Sequence, residues 1–408
     1  MNDQTPTIPF TGYQKFVVFL LAITQFTVVL DFMVMSPLGD IMMKTLSISP
    51  SQFGVAVSAY AFSAGISGLL TAGFADRFDR KKLLLFFYIG FATGTLFCAL
   101  APTFPLLVIA RIVTGIIGGV IGSISMAIVA DLFSLQQRGK VMGFVQMGFG
   151  ASQVLGIPIG LYIANKWGWH IPFLWIAVMA GIIALTLFLK LKPINEHLSL
   201  QRDKTAFQHL LHTIAKKNYR IGFLSTALLS IGGFMMMPFG SAFAINNLKV
   251  TEEQLPLIFL VSGIATLISM PFIGKWSDKI SKFKLFAAAT SCAIIIINIY
   301  AHFSATPFWL VLTMNVLMMV AIMSRMVPSI ALTSAIPQAQ DRGAFMSINA
   351  SLQQMAGGFG AMLAGVIIVQ KDNFTPLQHY DTLAMIASTI MLFTIYMVYR
   401  VNKLVLKK

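Results

Sequence analysis

The chain alternates between long apolar runs and short polar connections. A helix that crosses a bilayer needs about 20 consecutive apolar residues, and about twelve runs of roughly this length occur. They lie near residues 14–38, 52–74, 82–101, 105–131, 141–164, 170–191, 219–245, 254–275, 285–303, 306–332, 345–370 and 379–401, and we number them as segments one to twelve. The pattern predicts an all-α membrane protein with twelve transmembrane helices.

Composition agrees with this interpretation. Of the 408 residues, 57% are hydrophobic and only 11% are charged, whereas soluble domains carry about 25% charged residues. The two cysteines both fall in apolar segments and suggest packing, not a disulfide framework. No small-residue cleavage site follows the first run, so we expect it to remain as a spanning helix.

The placement of the basic residues predicts the orientation of the chain. Of the 29 Lys and Arg residues, 23 lie in one alternate set of connections and four in the other, while Arg111 and Arg325 lie inside apolar segments. The positive-inside rule then places both termini in the cytoplasm of a multi-pass inner-membrane protein. The net charge of +15 is therefore a topology signal, and no nucleic-acid partner is expected.

The longest polar connection divides the segments into two sets of six. We expect an N-terminal half over residues 1–192, a cytoplasmic linker over 193–217 and a C-terminal half over 218–408. The linker contains the stretch FQHLLHTIAKK, which is amphipathic and basic. It forms either a helix on the inner membrane surface or a simple connection.

Two pairs of landmarks indicate that the halves are an internal duplication. Asp76 and Asp278 follow segments two and eight and are 202 residues apart, and Arg138 and Arg342 precede segments five and eleven and are 204 apart. Two independent landmarks at nearly one offset are unlikely by chance, and internal repeats are common in transporters.

Asp31 lies in the interior of an apolar run over residues 16–43, and the other acids fall outside such runs or at their ends. A carboxylate at this depth costs roughly 3 kcal/mol or more. Thr24, Thr27 and Asp31 share one helix face. Segments one and four run in opposite directions, so Asp31 and Arg111 can meet at one depth. A guanidinium favours the ionised acid and loss of water favours the protonated acid. We prefer a proton-coupling site to a permanent structural ion pair.

Several motifs resemble those of a known family. Residues 72–81 (AGFADRFDRK) are similar to the G-x-L-a-D-r-x-G-r-k signature of the major facilitator superfamily, although Ala72 and Asp79 replace its two glycines. RIVTGIIGG around Arg111 matches R-x-x-x-G-x-x-G, and GASQVLGIPIG resembles the glycine–proline motif of proton-driven antiporters with Ile157 inserted. VVLDFMVMSP resembles the first-helix motif of the twelve-span drug–proton antiporters.

This resemblance implies two pseudo-symmetric six-helix halves and assigns roles to individual residues. A charge network would close the cytoplasmic mouth and so stabilise the outward-facing state. Its members here are Asp76, Arg77, Arg80, Lys81, Asp131 and Asp278. A second set allows close helix packing and, in segment five, a bend: Gly115, Gly119, Gly150, Gly156, Pro158 and Gly160.

Uncharged polar residues within the segments are candidates for a substrate cavity. With Arg325 the set is Thr24, Gln25, Thr27, Gln146, Gln153, Arg325, Asn349 and Gln353. Such side chains more commonly form hydrogen bonds to neighbouring helices than line a cavity. The Arg325 side chain either reaches the cytoplasmic surface along its alkyl stem or faces the cavity and attracts an anionic substrate.

Taken together, the residues and the resemblance predict a monomeric, proton-coupled transporter that works by alternating access. It would export drug-like or amphipathic molecules in exchange for protons. The alternatives are a specific metabolite transporter (a sugar effluxer or an organic-anion carrier) and a non-transporting receptor. No metal-ligand cluster, phosphate-binding loop or nucleophile–base pair occurs in the sequence, so we expect neither an enzyme nor any cofactor beyond the proton gradient.

Overall fold

The computed structural model describes residues 10–71, 77–195, 198, 206–338 and 341–406. Within these ranges the chain forms sixteen α-helices and one isolated β-bridge, between Val369 and Gln378. The helices are α1 Gly12–Val34, α2 Gly39–Leu46, α3 Pro50–Thr71, α4 Arg80–Leu100, α5 Phe104–Leu132, α6 Leu135–Ala151, α7 Ile157–Trp167, α8 His170–Lys190, α9 Ala206–Ala215, α10 Lys217–Phe234, α11 Gly240–Asn246, α12 Leu255–Lys279, α13 Lys282–Ala301, α14 Phe308–Ser334, α15 Arg342–Ile367 and α16 Tyr380–Leu406.

The twelve predicted segments all correspond to helices. In the described part of the chain, eleven helical stretches are long and apolar enough to cross a membrane. The twelfth predicted segment corresponds to the helix Arg342–Ile367, which has 26 residues, among them five glycines and three amide side chains. It packs against α3 and α10, so its polar residues face protein. The prediction of an all-α, multi-spanning protein is confirmed.

Two spans are interrupted at equivalent places in the halves. Helix α1 of segment one ends at Val34, and α2 begins at Gly39, just past the predicted end of that segment. In segment seven, α10 ends at Phe234 and α11 begins at Gly240 after a 3₁₀ turn. Pro37 and Pro238 lie in the two breaks. Proline lacks an N–H group and disfavours helical geometry in the residue before it, so each helix ends there.

Segment five contains a wide turn where the sequence predicts a bend. Helices α6 and α7 are joined by a π-helical turn over Ser152–Gly156, immediately before Pro158. Because Pro158 cannot donate a backbone hydrogen bond to Val154, the chain locally adopts a wider turn. The continuous helix therefore has a built-in irregularity at half its length.

Close helix contacts depend on glycine. A Cβ atom on Gly115 would lie 2.5 Å from the Tyr60 carbonyl oxygen, and one on Gly119 would lie 2.6 Å from Ala64 Cα, so α5 sits directly on the α3 backbone. In the same way Gly54 and Gly65 of α3 leave room only for the backbone and Met355 of α15. Helix α3 thus joins the first half to the second.

We use two names for the ends of the bundle. The basic face carries the helix ends near Arg80, Arg138, Lys216 and Arg342, and the opposite face carries those near Lys44 and Lys249. At the basic face, the linker forms the short helix α9, which packs against α10 and α15. Leu210 is buried, whereas Leu211 and Ile214 are exposed. Contact of this exposed edge with lipid, and the boundaries of the two halves, stay predictions.

Candidate functional site

Asp31 lies at the meeting point of three helices of the first half. It is fully buried in α1, where Thr95 of α4 donates a hydrogen bond of 3.1 Å to its Oδ1. Arg111 of α5 donates from Nη1 to its Oδ2 at 2.9 Å and to its backbone oxygen at 3.3 Å. The two residues therefore meet at one depth, as the sequence predicts.

The ion pair is made through one nitrogen only. Nε and Nη2 of Arg111 are buried and have no hydrogen-bond partner among the described residues. The guanidinium instead lies 4.4 Å from the Tyr60 ring centroid and 5.9 Å from that of Phe173. Aromatic faces stabilise a cation without fixing its orientation as a two-point contact does. The Asp31–Arg111 pair is consequently less constrained than a bidentate pair.

Aromatic rings connect this pair to the second half. Phe32 packs against Tyr60 with ring centroids 5.4 Å apart, and against Phe234 of α10 at 6.1 Å. A movement of α10 relative to α1 would therefore be transmitted to the ring that covers Arg111. Tyr60 and Thr95 lie outside the set of residues expected from the sequence.

Thr24 and Thr27 share a helix face with Asp31 and pack against α4. Both are fully buried. Thr24 donates to the Leu20 carbonyl at 2.8 Å, and the Thr27 hydroxyl shares a hydrogen bond of 2.7 Å with Tyr88 of α4. These threonines hold α1 against α4. Tyr88 and Thr95 are seven residues apart and so lie on one face of α4. This spacing is the sequence feature from which both could have been predicted to face α1.

A cavity lies between the halves, close to the breaks at Pro37 and Pro238. It is partly open to solvent, and none of its described lining residues is charged. The lining consists of Met33, Ser36, Pro37, Gln153 and Ile157 from the first half and Met237, Phe259, Ser262, Gly263, Thr266 and Met319 from the second. Three methionines make the wall adaptable, and Ser262 Oγ is buried without a partner in the described residues.

The other candidate cavity residues are scattered. Gln153 lines the cavity, with its Nε2 3.9 Å from Met33 Sδ. Gln25 and Gln353 are half-buried, and Gln146 is exposed. Asn349 is half-buried, but its Oδ1 is buried without a partner among the described residues.

Arg325 does not reach the surface of the bundle. Its side chain is 1% exposed, and its Nη2 donates to the Leu229 carbonyl of α10 at 3.1 Å. It lies nine residues from the end of α14, about 14 Å from the basic face. This position excludes the alternative in which the side chain extends along its stem to the surface.

Part of the expected charge network is present at the basic face. Arg80 Nε donates to Asp131 Oδ2 at 2.9 Å, as expected, and Lys81 Nζ donates to the Phe188 carbonyl at 2.9 Å. Arg77 is exposed. Asp76 and the side chain of Asp278 lie outside the described residues.

Asp79 explains how the second signature glycine can be absent. Its φ of −55° is open to any residue, so no glycine is required. Its carboxylate accepts from the backbone N–H of Lys82, which caps α4, and from that of Ile194, both at 2.9 Å. The turn is therefore tied to the stretch after α8 by the residue that departs from the family pattern.

The remaining glycines of segment five pack against both halves. A Cβ on Gly156 or Gly160 would contact Leu30 or Val34 of α1, and one on Gly150 would lie 3.0 Å from Leu267 of α12. Pro158 is buried beside them. These contacts hold the π turn between α1 and α12.

A polar junction around Asp40 closes the opposite face. The sequence analysis does not predict it, because Asp40 lies near the end of its apolar run. Asp40 is buried. Its Oδ1 accepts from Asn246 Nδ2 of α11 at 2.5 Å, and its Oδ2 lies 2.7 Å from Lys44 Nζ. Ser241 also donates to the Ser36 carbonyl at 3.2 Å. These pairs are 206 and 205 residues apart, close to the repeat offset, so equivalent segments of the two halves meet here.

Comparisons with known proteins agree with this architecture. The sequence profile of the Major Facilitator Superfamily matches residues 21–361 and 222–404. The chain is 26% identical over 358 residues to the uncharacterized MFS-type transporter YbcL of Bacillus subtilis (strain 168), covering 86% of this chain and 88% of that protein. It is 24% identical over 278 residues to Multidrug resistance protein 2 of the same organism, covering 66% and 68% respectively.

A solved structure shows the same fold. A bacterial homolog of the human lysosomal transporter Spinster, in an inward-facing and unoccupied conformation, superposes with a TM-score of 0.77 at 16% identity, covering 98% of this chain and 99% of that one. The profile match extends over most of the chain, and the helices form two six-helix halves around a cavity. The chain therefore belongs to the Major Facilitator Superfamily and is a multi-pass membrane transporter, not an enzyme.

Proposed function

We propose that this protein is a proton-coupled secondary active transporter that exports drug-like or amphipathic small molecules in exchange for protons. It would act as a monomer in the cytoplasmic membrane with both termini in the cytoplasm. The observation that carries the proposal is the buried Asp31 carboxylate, held by Thr95 and by a single nitrogen of Arg111.

The geometry favours a carboxylate that can gain and lose a proton. Asp31 is fully buried, so its protonation state depends on Arg111 and on whether water reaches it between the helices of the first half. A buried pair that serves only structure gains most from two-point contacts and fully satisfied donors. Here two donor nitrogens of Arg111 lack partners among the described residues. Protonation of Asp31 would release the Arg111 side chain toward the ring of Tyr60, which contacts it already.

The contacts between the halves support alternating access. At the opposite face, Asp40 meets Asn246, and Asn165 of α7 donates to the Glu252 carbonyl at 2.6 Å. The cavity lies on the inner side of this closure. Given the orientation predicted by the basic residues, substrate would enter from the cytoplasm and leave once the closure opens. The uncharged, methionine-rich lining suits varied amphipathic molecules, and the similarity to a multidrug resistance protein agrees with this.

A second candidate function is transport of one metabolite, with an organic anion favoured over a sugar. The observation for it is Arg325, a buried guanidinium that makes no ion pair with the described residues.

Transport in liposomes tests the proposal. Purified protein is first screened for compounds that raise its melting temperature, because a ligand that binds the native state stabilises it. The strongest compound is then offered to proteoliposomes with an acidic interior. We expect accumulation that a protonophore abolishes. Accumulation that is unchanged when the pH gradient is collapsed would refute proton coupling, and absence of any uptake beyond empty liposomes would refute export of that compound class.

A further inference from the structure

Arg325 is a buried cation without a counter-ion in the described structure. None of the ion pairs formed by the described residues includes it. Among the described residues, its buried Nε and Nη1 atoms find no hydrogen-bond partner, and its one hydrogen bond runs from Nη2 to the Leu229 carbonyl. A charge left in this state within a membrane costs several kcal/mol. Stability alone therefore does not account for an arginine here.

There is space beside the guanidinium. A Cβ atom built on Gly233 of α10 would have one neighbour within 4 Å, Arg325 Nη2 at 3.9 Å. Gly233 itself is half-exposed. The glycine thus leaves a gap through which a ligand can approach one edge of the guanidinium.

Other unsatisfied polar groups occur at a similar depth on neighbouring helices. Ser225 Oγ of α10 and Asn349 Oδ1 of α15 are buried without partners among the described residues. Counted along their helices from the basic face, the two residues lie about 10–12 Å deep, close to the depth of about 14 Å for Arg325. Helices α10 and α15 pack against each other, and α10 also contacts α14, which carries Arg325.

We propose that Arg325 binds the anionic group of an amphipathic ligand, a carboxylate, sulfonate or phosphate, that approaches over Gly233. This inference rests on the proposed transport function and narrows its substrates to molecules with an anionic head and an apolar body. A guanidinium offers parallel N–H donors that match such oxygens in a bidentate manner. The methionine-lined cavity would receive the apolar part.

Binding measurements with a matched pair of probes test the proposal without any proton gradient. Dansylglycine carries a carboxylate, and its methyl ester is neutral but otherwise alike. In phosphatidylcholine nanodiscs, we expect the wild type to bind the acid roughly tenfold to hundredfold more tightly than the ester, the range for a charge-assisted hydrogen bond. Arg325→Met should bind both equally, and Arg325→Lys should keep part of the preference.

Two further variants separate binding from folding. Gly233→Leu fills the gap beside the guanidinium and keeps the charge of Arg325, so it should weaken binding of the acid. Arg400→Met removes an exposed arginine of α16 and should change nothing. The melting temperature of ligand-free Arg325→Met should equal or exceed that of the wild type, because an unpaired buried charge has been replaced by an apolar side chain. A clear fall in its melting temperature would show a structural role and overturn the proposal.

Repeating the measurements with phosphatidylglycerol distinguishes the source of the anion. A stabilisation by this lipid that Arg325→Met abolishes would support the anion site and identify a lipid head group as its occupant. Wild-type protein that responds to neither probe in an Arg325-dependent way would overturn the proposal. Since no gradient is used, Arg325-dependent binding can persist even if proton coupling is refuted.

Discussion

The junction at the opposite face makes a measurable prediction about opening. Asn246→Ala removes the 2.5 Å hydrogen bond that Asn246 Nδ2 donates to the Asp40 carboxylate across the two halves. Asn246 also donates to Ala242 within its own helix, and that contact does not depend on opening. A hydrogen bond to a charged group contributes about 1.5–3 kcal/mol. Because 1.4 kcal/mol corresponds to a factor of ten, the ratio of open to closed molecules should rise by at least about tenfold.

Spin-label distances across the opposite face measure this change. Labels at Thr45 and Glu252, which are exposed in different halves, report the separation in a Cys292→Ser background. We expect a new population at longer distance in Asn246→Ala. The neighbouring Asn247 bonds to Leu377 within the second half, so Asn247→Ala should lower the melting temperature without changing the distances. Unchanged distances in Asn246→Ala, with its folding intact, would refute this account of the closure.

Two predictions concern stability. In α5, Gly119→Ala should lower the free energy of unfolding by about 1–3 kcal/mol, because the added methyl group overpacks against Ala64, and so lower the melting temperature. Gly122→Ala, with one neighbour at 3.9 Å, should not; equal melting temperatures of the two variants would contradict the packing argument. Asp341 accepts from Lys216 Nζ at 2.6 Å and raises the pKa of Lys216 above its ordinary 10.5. A raised lysine pKa contributes stability that is fully present below 10.5 and is lost as pH rises through the raised value. The difference in melting temperature between wild type and Lys216→Met should therefore be constant from about pH 6 to 9 and shrink only at strongly alkaline pH; a change near neutrality would contradict the assignment.

The sequence was sufficient to place Asp31 and Arg111 at the same depth in the membrane. Helical periodicity fixes the face on which each side chain lies, and the alternation of basic connections fixes the direction of each helix, so relative depth followed by counting residues. The same reasoning could not show that Thr95 and Tyr60 complete the site. Which helices become neighbours depends on close backbone contacts such as that between Gly115 and Tyr60, and these are not local in sequence.

Three features of the structure lie beyond the sequence reasoning, each for a physical reason. Thr24 and Thr27 share the face of Asp31, and the structure shows that this face packs on Tyr88 of α4. Asp40 lies near the end of the apolar run over residues 16–43, and a hydropathy average over about 20 residues does not reveal the break at Pro37. Asp79 departs from the glycine motif, and only the structure shows that its carboxylate accepts two backbone hydrogen bonds that hold the turn.

The most direct test of the central claim compares accumulation with exchange in Asp31→Asn. The compound identified by thermal stabilisation is offered to proteoliposomes with an acidic interior, and the plateau accumulation is measured against the imposed pH difference. For each exchanged proton, one pH unit supports a tenfold accumulation in the wild type. Asp40→Asn, which alters an equally buried acid outside the Asp31 site, should reach the wild-type plateau more slowly or more quickly but at the same level. We predict that Asp31→Asn shows no accumulation while it still exchanges labelled for unlabelled compound. Accumulation by Asp31→Asn that follows the pH difference as in the wild type would contradict the assignment of Asp31 as the proton site.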